Sequence, residues 1–419
     1  MTDWFVRHWL VLTLLGAYTA LLMRNAYLGF SNSGSLADYY VGSRSMSGPV
    51  VGFSFFATFA STNSYIGHAG KGYDYGLAWM VMPAMLVLFT FISWRWVGPQ
   101  TRRLAARFDA LTMPDFLCSR FAAQPAGLNS TLRVVSALVI VFCSLLYLIA
   151  IFKGVGHLFE HFFAVAYETA IMFALVVVVL YTSLGGFISV VRTDVMQGVL
   201  MLIGAVMIFY FVTSAVGGPG AITQLAERPD SEFLFDLNGA IPFAVLLGIA
   251  LSGSLKLLVD PRQLSRFYAL KDDASIRQGM WVAIIALLIV QLCLYPIGVY
   301  AHLLLDSITD TDLIIPTLVN DPSVFPVWAG DFLFVAIAAA AMSSMDSVLL
   351  VAASVSYKNL LLPGLGGLQT PRSGLLWTRS VVVGLAVLAA ALALSPPGDI
   401  IEITIFSGSL YAACFFPAV

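Results

Sequence analysis

Charge is scarce in this sequence. Asp, Glu, Lys and Arg make up 11% of the 419 residues, against roughly 25% in an ordinary soluble domain, which excludes a chain whose whole surface faces water. The net charge is −2, so there is no basic surface of the kind nucleic acid requires. Cysteine is sparse as well. Cys118, Cys143, Cys293 and Cys414 lie far apart with no CxxC spacing, which speaks against disulfides and zinc. Of the five histidines only His157 and His161 are four apart, and they lack a third ligand for a metal. No GxGxxG or P-loop motif occurs, so a bound nucleotide is not indicated. The sequence gives no support to an enzyme.

Apolar residues are abundant, at 59%, and are spread from end to end with no polar half, so the chain reads as a single membrane domain. A spanning helix needs about 20 mostly apolar residues. Eleven segments qualify, near 8–29, 48–69, 76–106, 127–157, 166–184, 189–215, 240–259, 277–305, 325–360, 375–395 and 399 to the end. The first is taken as a leading span and the others as core spans one to ten. No small-residue cleavage site follows Trp9 to Met23 before Arg24, so the leading span is expected to be a retained helix rather than a signal peptide. Lysine and arginine collect on the cytoplasmic side of short loops. With the N-terminus outside, 16 of the 21 fall inside and four outside (Arg7, Lys71, Lys153 and Arg228), while Lys256 lies within core span six. The chain closes on apolar Phe415-Phe416-Pro417-Ala418-Val419, and the expectation is a sequence cut within the last span.

Polar groups at membrane depth are functional candidates by default. Core span one is interrupted by Ala60-Ser61-Thr62-Asn63-Ser64-Tyr65-Ile66-Gly67. Its four consecutive hydrogen-bonding side chains compete with the helical backbone and can free carbonyls, although small polar residues also serve as packing contacts between helices. Core span eight carries Ala338-Ala339-Ala340-Ala341-Met342-Ser343-Ser344-Met345-Asp346-Ser347. Hard oxygen donors within one turn suit a small alkali cation; the alternative is a packing face with Asp346 near the cytoplasmic interface. At the start of core span five, Asp194 and Gln197 share a helical face, and Asp194 is also placed to pair with Arg192 at the interface. Lys256 stands four residues before Asp260, the spacing of a helical ion pair. Alternatively Gly253 breaks span six and Lys256 meets an anionic substrate. Phe53, Phe56, Tyr65, Tyr73 and Tyr147 are aromatic candidates for a pocket near the broken helices.

Taken together and in order, several segments resemble the solute:sodium symporter family, whose bacterial members carry proline, pantothenate, sialic acid and sugars. They are Asp38-Tyr39-Tyr40-Val41-Gly42-Ser43-Arg44, Ser61 to Gly76, Pro114-Asp115-Phe116-Leu117 with Arg120-Phe121, Gly185 to Gln197, Arg266-Phe267-Tyr268-Ala269 and Met342 to Ser347. The resemblance implies an all-α polytopic membrane protein of about 11 transmembrane helices with the leucine-transporter-like fold, a five-plus-five inverted repeat. Its parts would be a leading helix at 8–29, repeat one at 48–215 and repeat two at 240–419. An odd number of spans per repeat inverts the topology, in agreement with the sign count. The co-transported sodium ion would bind the carbonyls of Ala60, Asn63 and Ala340 and the hydroxyls of Ser343 and Ser344. Ser64, Asp194, Asp346 and Ser347 are candidates for a second sodium or for coupling. Gly67 stands where some two-sodium members have a hydroxyl, so one sodium is favoured. Lys256 and Tyr65 are candidate substrate contacts.

The function implied is sodium-coupled import of a small organic solute (an amino acid, carboxylate, sugar or similar) by alternating access, in a multi-pass protein of the cell inner (plasma) membrane. Partners are a small-molecule substrate and the lipid bilayer, with no nucleic acid. Two alternatives stay open: a transporter-like sensory input domain followed by a C-terminal signalling domain outside this chain, as in membrane histidine kinases, and a proton-coupled transporter of the same fold.

Overall fold

The computed structural model describes residues 8–32, 34–121, 126–306, 308–365 and 370–418; Arg7 lies outside them. The described residues are helical nearly throughout, and their only β pairing is an isolated bridge between Met46 and Leu270. The leading helix α1 spans Trp9–Asn32. Core span one is split: α2 covers Gly48–Phe59, Ala60 is extended (φ −74°, ψ 110°), and the helix resumes through a widened turn, Asn63–Gly67, into α3, His68–Tyr75. Next come α4 (Val81–Ile92, continued by Gly98–Arg107), the short loop helix α5 (Met113–Arg120) and α6 (Ala126–Phe163).

Helix α7 runs over Tyr167–Ala215, 49 residues. At 1.5 Å per residue this is more than twice the roughly 30 Å thickness of the hydrocarbon core. It therefore contains both core spans four and five, divided at Gly186, where φ is +62° and ψ −172°. Only glycine adopts that conformation without strain. Gly76, at φ +62°, makes the corresponding break between α3 and the helix that follows.

Core span six, expected to end near 259, goes on past a break into what reads as inner loop: α8 (Phe243–Leu255) is joined by a tight turn at Lys256–Leu258 to α9 (Pro261–Ala269). The break falls at Val259 and Asp260, not at Gly253, which lies inside α8 and packs under Met82. The remaining helices are α10 (Asp273–Leu294, continued by Ile297–Ala301), α11 (Val327–Val355), α12 (Pro371–Ala393) and α13 (Ile400–Phe415). All eleven expected spans therefore correspond to helix.

Helix α11 lies at the centre. Every residue from Leu333 to Val355 is buried, because its alanines and serines let α2, α6 and α7 approach closely on all sides. The outer helices instead show apolar faces to the lipid, including Phe173, Leu180, Trp281, Leu292 and Leu376.

The Gly186 break is open to a direct test. A methyl there would meet the Tyr39 ring at 2.7 Å as well as the unfavourable φ. We expect Gly186→Ala to cost about 1–3 kcal/mol and to lower the thermal unfolding midpoint in detergent. Gly127→Ala, where a methyl meets nothing within 4 Å, should leave that midpoint unchanged.

Candidate functional site

The extended backbone at Ala60 ends α2 inside the protein, so its last carbonyls lose their helical partners. Two of them are met by α11. The Ser343 hydroxyl donates to the Ala57 carbonyl at 2.9 Å and lies 3.0 Å from the Ala340 carbonyl, and the Ser344 hydroxyl donates to the Thr58 carbonyl at 3.0 Å. The recorded contacts thus fall on Ala57 and Thr58, about one turn before Ala60. Beyond the break, Ser61 organises the resumption of the helix: its hydroxyl accepts from the Asn63 backbone N–H at 3.1 Å, and its carbonyl from Ser64 at 2.9 Å. In the widened turn the Asn63 carbonyl accepts from the His68 backbone N–H. Tyr65 is fully buried and its hydroxyl donates to the Met201 carbonyl, so this candidate substrate contact is engaged with α7.

On the other side of α2 lies a buried charge that linear reading missed. Arg266, on α9, is wholly inaccessible. Its guanidinium donates to Ser54 (3.2 Å) and Thr58 (2.7 Å) of α2, to Asp194 of α7 (3.1 Å) and to Ser347 of α11 (2.6 Å). Asp194 also accepts from the Ser54 hydroxyl at 2.5 Å. Asp194 therefore pairs with Arg266 rather than with Arg192, which is exposed. Asp346 is fully buried beside them, with the Ser347 hydroxyl 3.4 Å from one carboxylate oxygen, and so is not at the cytoplasmic interface. Among the described residues, one oxygen of Asp194 and one of Asp346 have no partner. Two carboxylates and one guanidinium leave this cluster with a formal charge of −1. Gln197 instead reaches α1, donating to the Tyr18 hydroxyl at 2.7 Å.

A second buried group surrounds the break between α8 and α9. Asp260 caps α9 and chelates Arg262, accepting from its Nε at 3.0 Å and its Nη2 at 2.5 Å. Lys256 does not pair with Asp260, because the helix tightens at Lys256–Leu258 and Val259 leaves the helical path, so i and i+4 no longer share a face. Nor does Lys256 reach the surface, being only 5% exposed. The Arg262 guanidinium lies 4.0 Å over the Tyr147 ring of α6, and the Tyr147 hydroxyl is 3.1 Å from that of Ser61 at the break in span one. Arg262 and Arg266, inner-loop charges by the expected span limits, are core residues, since all nine residues of α9 are buried.

The two ends of the bundle are clasped differently. At one end Met46, just before α2, pairs through its backbone with Ala269 (2.9 Å) and Lys271 (3.0 Å), while Asp115 of α5 holds Lys358 (2.7 Å) and Asn359 (2.9 Å) after α11. Burial alone would raise the Asp115 carboxyl, but Lys358, Asn359 and Thr112 outweigh it and hold it below the ordinary carboxylate range. A depressed acid contributes its stability above its unfolded value and loses it only as pH falls through the folded one, so this clasp persists at neutral pH. At the other end Lys71 reaches Asp74 and Asp399, and Lys153 holds Asp312 at 2.7 Å. Beside them a cleft of about 370 Å³ is lined by residues including Lys71, Tyr75, Trp79, Ile405 and Ser409.

Comparison with known proteins agrees with this architecture. The sequence profile described as sodium:solute symporter family matches residues 39–419. The chain is 29% identical over 392 residues to a sodium/pantothenate symporter of Haemophilus influenzae, covering 93% of this chain and 79% of that one. It is 30% identical over 398 residues to the sodium/pantothenate symporter of Escherichia coli (92% and 79%). An osmoregulated proline transporter of Bacillus subtilis is 28% identical over 411 residues (97% and 82%). Among solved structures, a Na+-coupled sialic acid symporter in a substrate-bound outward-open state superposes with a TM-score of 0.79 at 17% identity, covering 92% of this chain and 82% of that one.

The Arg266 cluster makes a stability prediction. Removing the one cation strands two buried carboxylates, at about 3–5 kcal/mol, so Arg266→Met should lower the unfolding midpoint strongly, and Asp194→Asn, which leaves Asp346 beside Arg266, should lower it less. The Arg266→Met/Asp194→Asn double variant should be more stable than the sum of the two losses, measured as a double-mutant cycle by thermal unfolding in detergent.

Proposed function

The chain belongs to the sodium:solute symporter family, and we propose that its sodium binds where the interrupted end of α2 meets α11. The proposed ligands are the carbonyls of Ala60, Asn63 and Ala340 and the hydroxyls of Ser343 and Ser344. One observation carries this reading: both hydroxyls already converge on freed carbonyls of α2 within 3.0 Å, in a fully buried place. The Asn63 carbonyl accepts from the His68 backbone N–H, and a carbonyl oxygen carries a second lone pair.

We favour a single sodium per cycle on the hydrogen bonding. Asp194 and Ser347, named with Ser64 and Asp346 for a second ion, are already bonded to the Arg266 guanidinium. The formal −1 of the cluster would attract a further monovalent cation, but that ion would have to share these ligands with the guanidinium. In this reading Asp194 and Asp346 take part in coupling through Arg266 and not as ligands.

The relatives named above carry pantothenate or proline, which supports a small organic solute for this chain. Sodium joining α2 and α3 to α11 stabilises one state of an alternating-access cycle, and it drives transport only because its affinity differs between states. The proposed division is a leading helix at 8–29, repeat one at 48–215 and repeat two at 240–419. It is supported by the breaks at Ala60 and Asp260, each in the first helix of its repeat. The excess of Lys and Arg at the Met46 end supports a plasma-membrane protein with its N-terminus outside.

Two experiments check these assignments. In proteoliposomes with an inward sodium gradient, a solute panel including pantothenate and proline should yield uptake that is lost when potassium replaces sodium. Ser343→Ala/Ser344→Ala should raise the sodium concentration for half-maximal uptake by at least tenfold, and unchanged sodium dependence would refute the site. For orientation, an N-terminal epitope tag should be reached by antibody on intact spheroplasts, whereas a cysteine placed at exposed Arg103 should resist an impermeant maleimide.

A further inference from the structure

The mechanism above makes no use of one buried charge, that of Lys256. Lys256 is 5% exposed, and among the described residues its ammonium has no hydrogen-bond or ion-pair partner. The nearest groups are rings: the ammonium lies 5.6 Å from the centroid of Phe59, at the end of α2, and 5.8 Å from that of Tyr147. A ring face softens a cation without neutralising it. Arg262 stands on the same Tyr147 ring, and among the described residues its Nη1 is buried without an acceptor, Asp260 engaging only Nε and Nη2. Two cations and one carboxylate give this place a formal charge of +1. An uncompensated buried charge is costly, and at membrane depth such a group marks a functional site.

Lys256 lies between the broken ends of core spans one and six, beside Tyr147 of α6 and Gly408 of α13, against which its stem packs. The Tyr147 hydroxyl bonds Ser61, which in turn holds the Asn63 N–H, so an occupant against Tyr147 would bear on the break assigned to sodium. We infer that the transported solute is an organic monoanion, its carboxylate held by Lys256 and the free Nη1 of Arg262 against the rings of Phe59 and Tyr147. This inference rests on the symporter reading and gives it a substrate class.

The test uses the purified full chain, scored by thermal unfolding and by uptake in proteoliposomes. The probes are lactate, N-acetylglycine and N-acetyl-β-alanine, each beside its primary amide. In sodium, carboxylates should stabilise the protein and be taken up while their amides are not. Lys256→Met should weaken carboxylate binding roughly thirtyfold or more, and Lys256→Arg should restore most of it. Equal binding of amides, no binding of any carboxylate, or unchanged binding in Lys256→Met would each overturn the inference. Stabilisation by sodium alone, retained in Lys256→Met, shows that the variant is folded and reads the sodium site separately. If sodium fails to stabilise the wild-type chain while carboxylates still bind through Lys256, the sodium assignment falls and the anion pocket stands.

Discussion

The guanidinium of Arg266 holds the centre of this protein together. Its planar fork of donors points in fixed directions, and here those directions lead to α2, α7 and α11 at once. Arg266 is wholly buried, so the four helices vary their relative positions only by breaking charged hydrogen bonds. Such a pair adds little net stability over an apolar core of the same volume. What it does contribute is register: Ser54, Thr58 and Ser347 must stand at defined heights along two helices, and these are the turns on which Ser343 and Ser344 meet the end of α2.

From that register follows the arrangement of the two breaks. Ser54 and Thr58 face the Arg266 cluster with its formal −1, while Phe59 faces Lys256 and the formal +1 around Arg262. The last turn of α2 thus separates buried charges of opposite sign, and the extended residue Ala60 lies just beyond it. Both clusters draw on α9, which supplies Arg262 to one and Arg266 to the other, four residues apart and linked by a hydrogen bond from Arg266 to the Arg262 carbonyl. Any shift of α9 is felt at both sites.

The sequence disclosed some of this and hid the rest for a physical reason. The helices were legible because lipid demands long apolar runs. The break at Ala60 was legible because four hydrogen-bonding side chains in a row contradict such a run, and α11 because small and hydroxyl residues cluster there. Helix α9 was not. A nine-residue polar helix with two arginines reads as a loop in any window of local hydrophobicity, and the partners that bury Arg266 lie 212, 72 and 81 residues away. Lys256 misled for a related reason: its i, i+4 spacing to Asp260 implies a pair only if the helix continues, and the tight turn at Lys256–Leu258 ends it. In the long α7 the apolar pattern gave two spans correctly, while the joint itself is carried by one backbone conformation at Gly186.

The charge balance also bears on what the proposed cycle can achieve. One sodium crossing a potential of about 100 mV contributes about 2.3 kcal/mol, and a tenfold sodium gradient adds about 1.4 kcal/mol, so a neutral solute could be accumulated several hundredfold. A monoanion held at Lys256 cancels the electrical part, because the pair crosses without net charge, and the sodium gradient alone then limits accumulation to roughly its own ratio, about tenfold. Neutral cargo has a different consequence inside the membrane. The core then carries both its own buried charge of each sign and a sodium ion through the conformational change, whereas with an anion the sodium is offset by its cargo. Separated buried charges are expensive in a low-dielectric interior, so loading both ligands lowers the electrostatic cost of the proposed conformational change. Loading only one raises it. In that sense the opposed clusters favour the empty and the doubly loaded carrier over either singly loaded form, which is the condition for tight coupling.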